Sequence, residues 1–101
     1  MKLYIITYYI KKDSSFSEKF LTEVLHSFGD WLTCTPNTCI IYTNKNAKEI
    51  YTVIANHIDP MPVILIYELS RDKQGLLPKK AWEWIDEKMK KIDNESSKLL
   101  L

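Results

Sequence analysis

Two histidines, two cysteines and several lysines close to tyrosines are the side chains of this chain best equipped for chemistry. Glu23 and His26 lie three apart on an expected helix, a spacing that sets two metal ligands side by side. No other histidine or cysteine at ligand spacing joins them, and Glu23 reads as readily as a solvated helix residue. His57 falls near a helix C-terminus, where a protonated imidazole favours the last carbonyls. Cys34 and Cys39 flank a turn, and in the simplest hairpin register they oppose each other closely enough for a cross-strand disulfide. Two reduced thiols packed in a sheet explain the same pair. No basic residue stands near enough in sequence to lower either thiol pKa, so a catalytic cysteine is unsupported. Asp13, Asp30, Asp59 and Asp72 all sit in expected connectors, where turn chemistry accounts for them. Ser14, Ser15 and Ser17 open a helix without a histidine–carboxylate context. No catalytic, metal or cofactor residue is therefore assigned.

Binding is the better supported chemistry. Tyr8 and Tyr9 run into Lys11 and Lys12, and Lys79-Lys80 form another basic spot near an element end. Aromatic rings beside lysines can stack bases and track phosphates, which makes Tyr8, Tyr9, Lys11, Lys12, Lys79 and Lys80 the candidate nucleic-acid contacts. Solvated lysines beside core tyrosines are the competing account. Against a general affinity for nucleic acid stands a formal charge of +1, from 14 basic and 13 acidic residues. Arg71 is the sole arginine, which disfavours bidentate phosphate or guanine recognition.

These residues need a scaffold, and the apolar pattern describes it. Residues 3–10 (LYIITYYI) and 62–69 (PVILIYEL) are apolar at nearly every position. Side chains alternate across a strand, so both faces of such a sheet must be covered. Leu3, Ile5, Thr7 and Tyr9 form one face, and Tyr4, Ile6, Tyr8 and Ile10 the other. Helices are expected over one face, and either a further helix or a second copy of the chain over the other. On this reading Tyr4, Ile6 and Tyr8 are candidate dimer-interface residues.

Between the strands, Ser15 and Glu18 read as a capping box for a helix over about 16–28, and Gly29 suits its C-terminal cap. Two β-rich runs flank Pro36-Asn37 as a hairpin. Asn46 and Glu49 offer a second capping pair for a helix that ends near His57, before Asp59-Pro60. Pro78 fits the first turn of a third helix, expected to run through Met89. Trp82 and Trp84 lie about 200° apart on it, so both are not expected in one core, and Trp84 is a candidate anchor for a partner. The order β-α-β-β-α-β with an additional C-terminal helix predicts an α+β, ferredoxin-like sandwich. One domain is expected over residues 1–92, with 93–101 as a tail outside it.

No stretch reaches the roughly 18–20 apolar residues that span a bilayer, so no membrane partner is expected. The apolar run after Lys2 holds three tyrosines and no small-residue cleavage site follows it. The expected location is the cytoplasm.

The Tyr-Ile-Ile-Thr-Tyr strand, the Phe28-Gly29-Asp30-Trp31 helix end and the Thr38-Cys39-Ile40-Ile41-Tyr42-Thr43 hairpin strand together carry a resemblance. So do the Ile58-Asp59 step and the Leu77-Pro78-Lys79-Lys80-Ala81-Trp82 helix start. Over residues 1–90 the chain resembles the small SinR-like proteins, distant relatives of CRISPR-associated Cas-two and VapD-type ribonucleases. That resemblance implies a ferredoxin-like fold, a homodimer and a setting in prokaryotic or phage defence. In the nuclease relatives an aspartate near the end of the first strand binds a metal; the matching position here is Tyr9. A neutral phenol does not replace a carboxylate, so the resemblance implies a non-catalytic binding or scaffolding protein. The alternatives are a weak ribonuclease dependent on Mg²⁺ or Mn²⁺, and a pure protein-interaction module.

Overall fold

The computed structural model describes residues 1–10, 18–58 and 61–100 of the chain. Four strands and three helices follow one another as β1 (Lys2–Tyr9), α1 (Glu18–His26), β2 (Asp30–Thr35), β3 (Thr38–Thr43), α2 (Ala47–His57), β4 (Val63–Glu68) and α3 (Lys79–Leu100). The strands make one antiparallel sheet in the order β2-β3-β1-β4. This α+β arrangement is compatible with a small ferredoxin-like fold. β1 is central, and β2 and β4 are the edges.

Each face of the sheet has its own core. On the first face Tyr4, Ile6, Tyr8, Cys39 and Ile41 meet Leu21, Leu25 and Phe28 around α1, and Ile50, Ile54 and Ile58 around α2. Tyr4, Ile6 and Tyr8 are only 5%, 0% and 9% exposed. Expected at a dimer interface, they are instead sealed beneath this chain's own helices. The reason is parity: their face is the one to which the two crossover helices return.

On the second face Leu3, Ile40, Tyr42 and Ile85 form a smaller core with α3 laid over it. Trp82 and Trp84 both pack against this cluster, contrary to the expectation that they could not share one core. Ala81, Ile85 and Lys88 form the buried stripe at the centre of the helix. The two indoles flank that stripe, and their length lets each reach the sheet from its own side. Trp84 is thereby half-buried within the chain rather than held out as an anchor.

Local signals explain most boundaries. At α2 the Glu49 N–H donates to Asn46 Oδ1 (2.8 Å) and the Asn46 N–H donates to Glu49 Oε1 (3.1 Å), completing the expected capping box. At its other end a His57 ring nitrogen lies 2.8 Å from the Val53 carbonyl, placing the imidazole at the helix C-terminus. The corresponding cap at Ser15 lies outside the described residues, as do Lys11, Lys12, Asp13, Ser14, Ser17, Asp59 and Pro60. Gly29, between α1 and β2, has φ +146°, and a Cβ there would stand 2.3 Å from the Tyr42 carbonyl oxygen. Only glycine fits both conditions.

Two expectations are corrected. The third helix does not stop at Met89 but continues to Leu100, so the boundary expected at residue 92 falls inside it. Its later turns are tied to the body of the fold: Asp93 pairs with Arg71, and Glu95 accepts from the N-terminal amine (3.2 Å) and the Tyr42 hydroxyl (3.4 Å). Cys34 and Cys39 do not face each other either. The β2–β3 register shifts between Thr33 and Thr35, setting Cys39 opposite Thr33. Cys39 packs in the first core and Cys34 against the second, on opposite sides of the sheet. Both are free cysteines.

Candidate interaction surface

α3 contacts β1 and β2 and lies over one half of the second sheet face. The other half is open. The register pairs Tyr9 with Val63, Thr7 with Leu65 and Ile5 with Tyr67, so these six side chains form two adjacent columns on that face. Val63 is 68% exposed, Leu65 61%, Tyr9 57% and Tyr67 42%. Single exposed apolar residues are ordinary, but four such side chains on one strip make it the candidate interaction surface.

The two sheet edges differ in how they are protected. β2 carries Asp30, Thr33 and Thr35 at exposed positions and is interrupted by its register shift, two devices that discourage pairing with another chain. β4 is regular and apolar from Val63 to Tyr67, with only Pro62 before it and Glu68 at its end as guards. Glu68 is itself paired with Lys2 at 3.2 Å.

Beside β4 on the first face lies a groove of about 330 Å³, lined by Ala47, Lys48, Tyr51, Ile64, Leu65 and Ile66. Its walls are α2 and β4, which pack together there. β4 is thus bordered by an open apolar strip on one face and an apolar groove on the other, and between them runs an edge that pairs with no other strand among the described residues.

The charged side chains of the second core serve structure. Lys88 is 4% exposed, and its ammonium donates to Asp30 Oδ2 at 2.9 Å. The nitrogen lies 5.2 Å from the centre of the Tyr42 ring and 5.5 Å from that of Trp84, so two aromatic faces add to its attraction. The hydrogen bond to Asp30 raises the Lys88 pKa and lowers that of Asp30 from 3.8. The depressed carboxylate contributes stability that is present above its ordinary pKa and lost as pH falls through the folded value. The raised ammonium contributes stability that is present below 10.5 and lost as pH rises through its own folded value. Asp30→Asn should therefore lower the urea midpoint between about pH 5 and 9, with the gap to the parent protein closing in acid. Parallel curves for the two proteins across pH 2–5 would show that the pair contributes nothing.

The remaining reactive side chains are quiet. Burial, with Cys34 as a lesser cause, pushes the Cys39 thiol up to about 11, and burial raises Cys34 also. Neither thiol is primed as a nucleophile. His26 stacks on Trp31 with ring centres 3.6 Å apart and planes within 7°. Desolvation lowers its pKa, which favours the neutral ring in the stack. Glu23 is exposed beside it, and no group of three or more histidine, cysteine or carboxylate side chains could hold a metal among the described residues.

Among the described residues the candidate nucleic-acid contacts are not gathered into one site, and Lys11 and Lys12 lie outside them. Tyr8 is in the first core and its hydroxyl donates to the Pro36 carbonyl at 2.9 Å, so its ring is not available to a base. Tyr9 is exposed but belongs to the apolar strip. Lys79 and Lys80 are exposed at the start of α3, where Lys79 approaches Glu83 at 3.9 Å. The surface that the sequence did not single out is the β4 strip itself. Its signal was the uninterrupted VILIY run, too apolar for an edge strand with a covered face.

Among the described residues no helix is long and apolar enough to cross a membrane. No family model matches the chain, and no curated protein or solved structure matches it.

Proposed function

We propose that this chain is a non-catalytic, cytoplasmic binding or scaffolding protein with a Cas-two-like, ferredoxin-like fold, working as a homodimer in a prokaryotic or phage defence-type system. The observation that carries the binding role is the open half of the second sheet face, where Tyr9, Val63, Leu65 and Tyr67 stand exposed together. The setting follows from the SinR-like resemblance alone. A second copy placed face to face on the strip would cover both sets of side chains at once. Complete burial of each is worth roughly 1.5–3 kcal/mol, of which the strip retains about half to be gained.

Non-catalysis is supported by what stands at the end of β1. Tyr9 occupies the position that the resemblance gives to a metal-binding aspartate, and its neighbours across the ladder are apolar. The test is direct. Size-exclusion chromatography with light scattering should return twice the chain mass, with an absorbance ratio free of nucleic acid. Incubation of that fraction with Mg²⁺ or Mn²⁺ should leave single- and double-stranded RNA and DNA intact. A monomer at millimolar concentration would remove the dimer. Cleavage abolished by Asp30→Ala or Asp13→Ala would replace scaffolding with metal-dependent ribonuclease activity.

A further inference from the structure

The edge of β4 offers a second, different kind of contact. The Leu69 N–H donates to the Leu3 carbonyl at 2.9 Å. In an antiparallel ladder successive residues point their amides alternately toward and away from the neighbour. The odd-numbered residues of β4 therefore turn toward β1, and Ile64, Ile66 and Glu68 turn their N–H and C=O groups to the open edge. Ile64 and Ile66 also line the groove under α2, so hydrogen-bonding groups and apolar wall lie side by side. A strand added at this edge satisfies the backbone groups and places every second side chain in the groove.

Lys48 is the charged member of that groove and, with Lys45, also lines the hollow next to it. Neither lysine has an ion-pair partner among the described residues, whereas Glu49 in the same hollow is held by the α2 cap. A second copy pairing through its own β4 would add a further unpaired Lys48 beside this one, while the acidic residue of its strand, Glu68, is already engaged by Lys2. An acidic residue on the incoming strand meets the lysine instead.

We propose that the β4 edge and the α2 groove take an extended apolar peptide bearing an acidic residue, added to the sheet as a fifth strand. The proposal rests on the binding role above and names the partner class of its other face. It is the strand-addition mode of recognition: main-chain bonds supply affinity, and alternate side chains in the groove supply selectivity. The groove volume is at the small end of the roughly 300–1,000 Å³ typical of ligand pockets, suited to a few side chains rather than a folded element.

The probe is an acetylated peptide of alternating isoleucine and threonine with one aspartate at its end, titrated into the full chain. Amide exchange and chemical shifts are read by NMR. Binding should slow exchange at Ile64, Ile66 and Glu68 and shift Ala47 and Tyr51. Lys48→Glu should weaken it about fivefold, and a peptide with lysine in place of aspartate should regain that loss on the variant. Three results overturn the proposal: unmoved edge amides at millimolar peptide, no charge preference in either protein, or edge amides already protected in the free protein in proportion to its concentration. The last would put a second copy on the edge. Light scattering on the same samples separates the two ideas. An intact dimer with no peptide binding ends this proposal alone, and loss of both ends the binding role.

Discussion

Gly29→Ala should cost the fold about 2–4 kcal/mol, among the largest losses available from one methyl group in this chain. Two penalties combine at the position. The backbone is held at φ +146°, a region closed to side chains with a Cβ. The new carbon would also meet the Tyr42 carbonyl oxygen at 2.3 Å, and that oxygen belongs to a central strand with no freedom to retreat. Relief requires moving either the end of α1 or the start of β2. Both ends are committed: Phe28 is in the first core, and Asp30 holds Lys88 over the second. The loss should appear in urea as a lower midpoint with an unchanged slope. A midpoint within experimental error of the parent would show that the α1–β2 junction is not held as described.

Leu65→Lys should convert the proposed dimer to a monomer while leaving the stability of the single chain nearly unchanged. Leu65 is 61% exposed and lies at the middle of the strip, between Val63 and Tyr67 on its own strand and opposite Thr7 on β1. The substitution removes little packing within the chain, so stability should move by less than about 0.5 kcal/mol. In a face-to-face pair the same change acts twice, once from each copy, burying two ammonium groups among apolar side chains. A weakening of at least a hundredfold is expected, about 2.8 kcal/mol at roughly 1.4 per factor of ten. Analytical ultracentrifugation over a hundredfold range of concentration measures it. A variant that sediments as the parent does would move the working surface away from β4.

The element order was legible because each element announces itself locally. The Asn46–Glu49 capping pair and the β-rich runs around Pro36-Asn37 are short-range signals, and the structure realises both. Gly29, expected as a helix cap, instead lies beyond the end of α1 at His26, where its positive φ leads into β2. The need to cover both sheet faces was legible too, from period-two counting in β1. How that cover is divided was not. Val63, Leu65 and Tyr67 are no less apolar than Ile64 and Ile66, so alternation cannot say which column lies open. That depends on how far α3 spreads across the sheet, a matter of helix placement that no local pattern encodes. Tyr4, Ile6 and Tyr8 differ from expectation for the same reason: alternation defines their shared face and not what covers it. The register shift in β2 was hidden as well, since a single extra residue leaves composition unchanged while sending Cys34 and Cys39 to opposite sides. The tail of α3 is a different failure. Its anchors are residues far away in sequence, Arg71, Met1 and Tyr42, and short-range signals carry no trace of them.

The strand order also sets a timetable for synthesis. β1 is the first strand made and the central one, with β3 on one side and β4 on the other. On the ribosome it cannot complete its ladder until Val63–Glu68 has emerged, and its second face stays bare until Lys79–Leu100 follows. An apolar ribbon eight residues long therefore leaves the exit tunnel before β4 and α3, the elements that complete its ladder and cover part of its second face. Pairings so distant along the chain close slowly, because the intervening loop entropy must be surrendered before contacts compensate it. The nascent chain should consequently depend on holdase chaperones until α3 has emerged, and a ribosome stalled before residue 79 should present β1 with its second face uncovered.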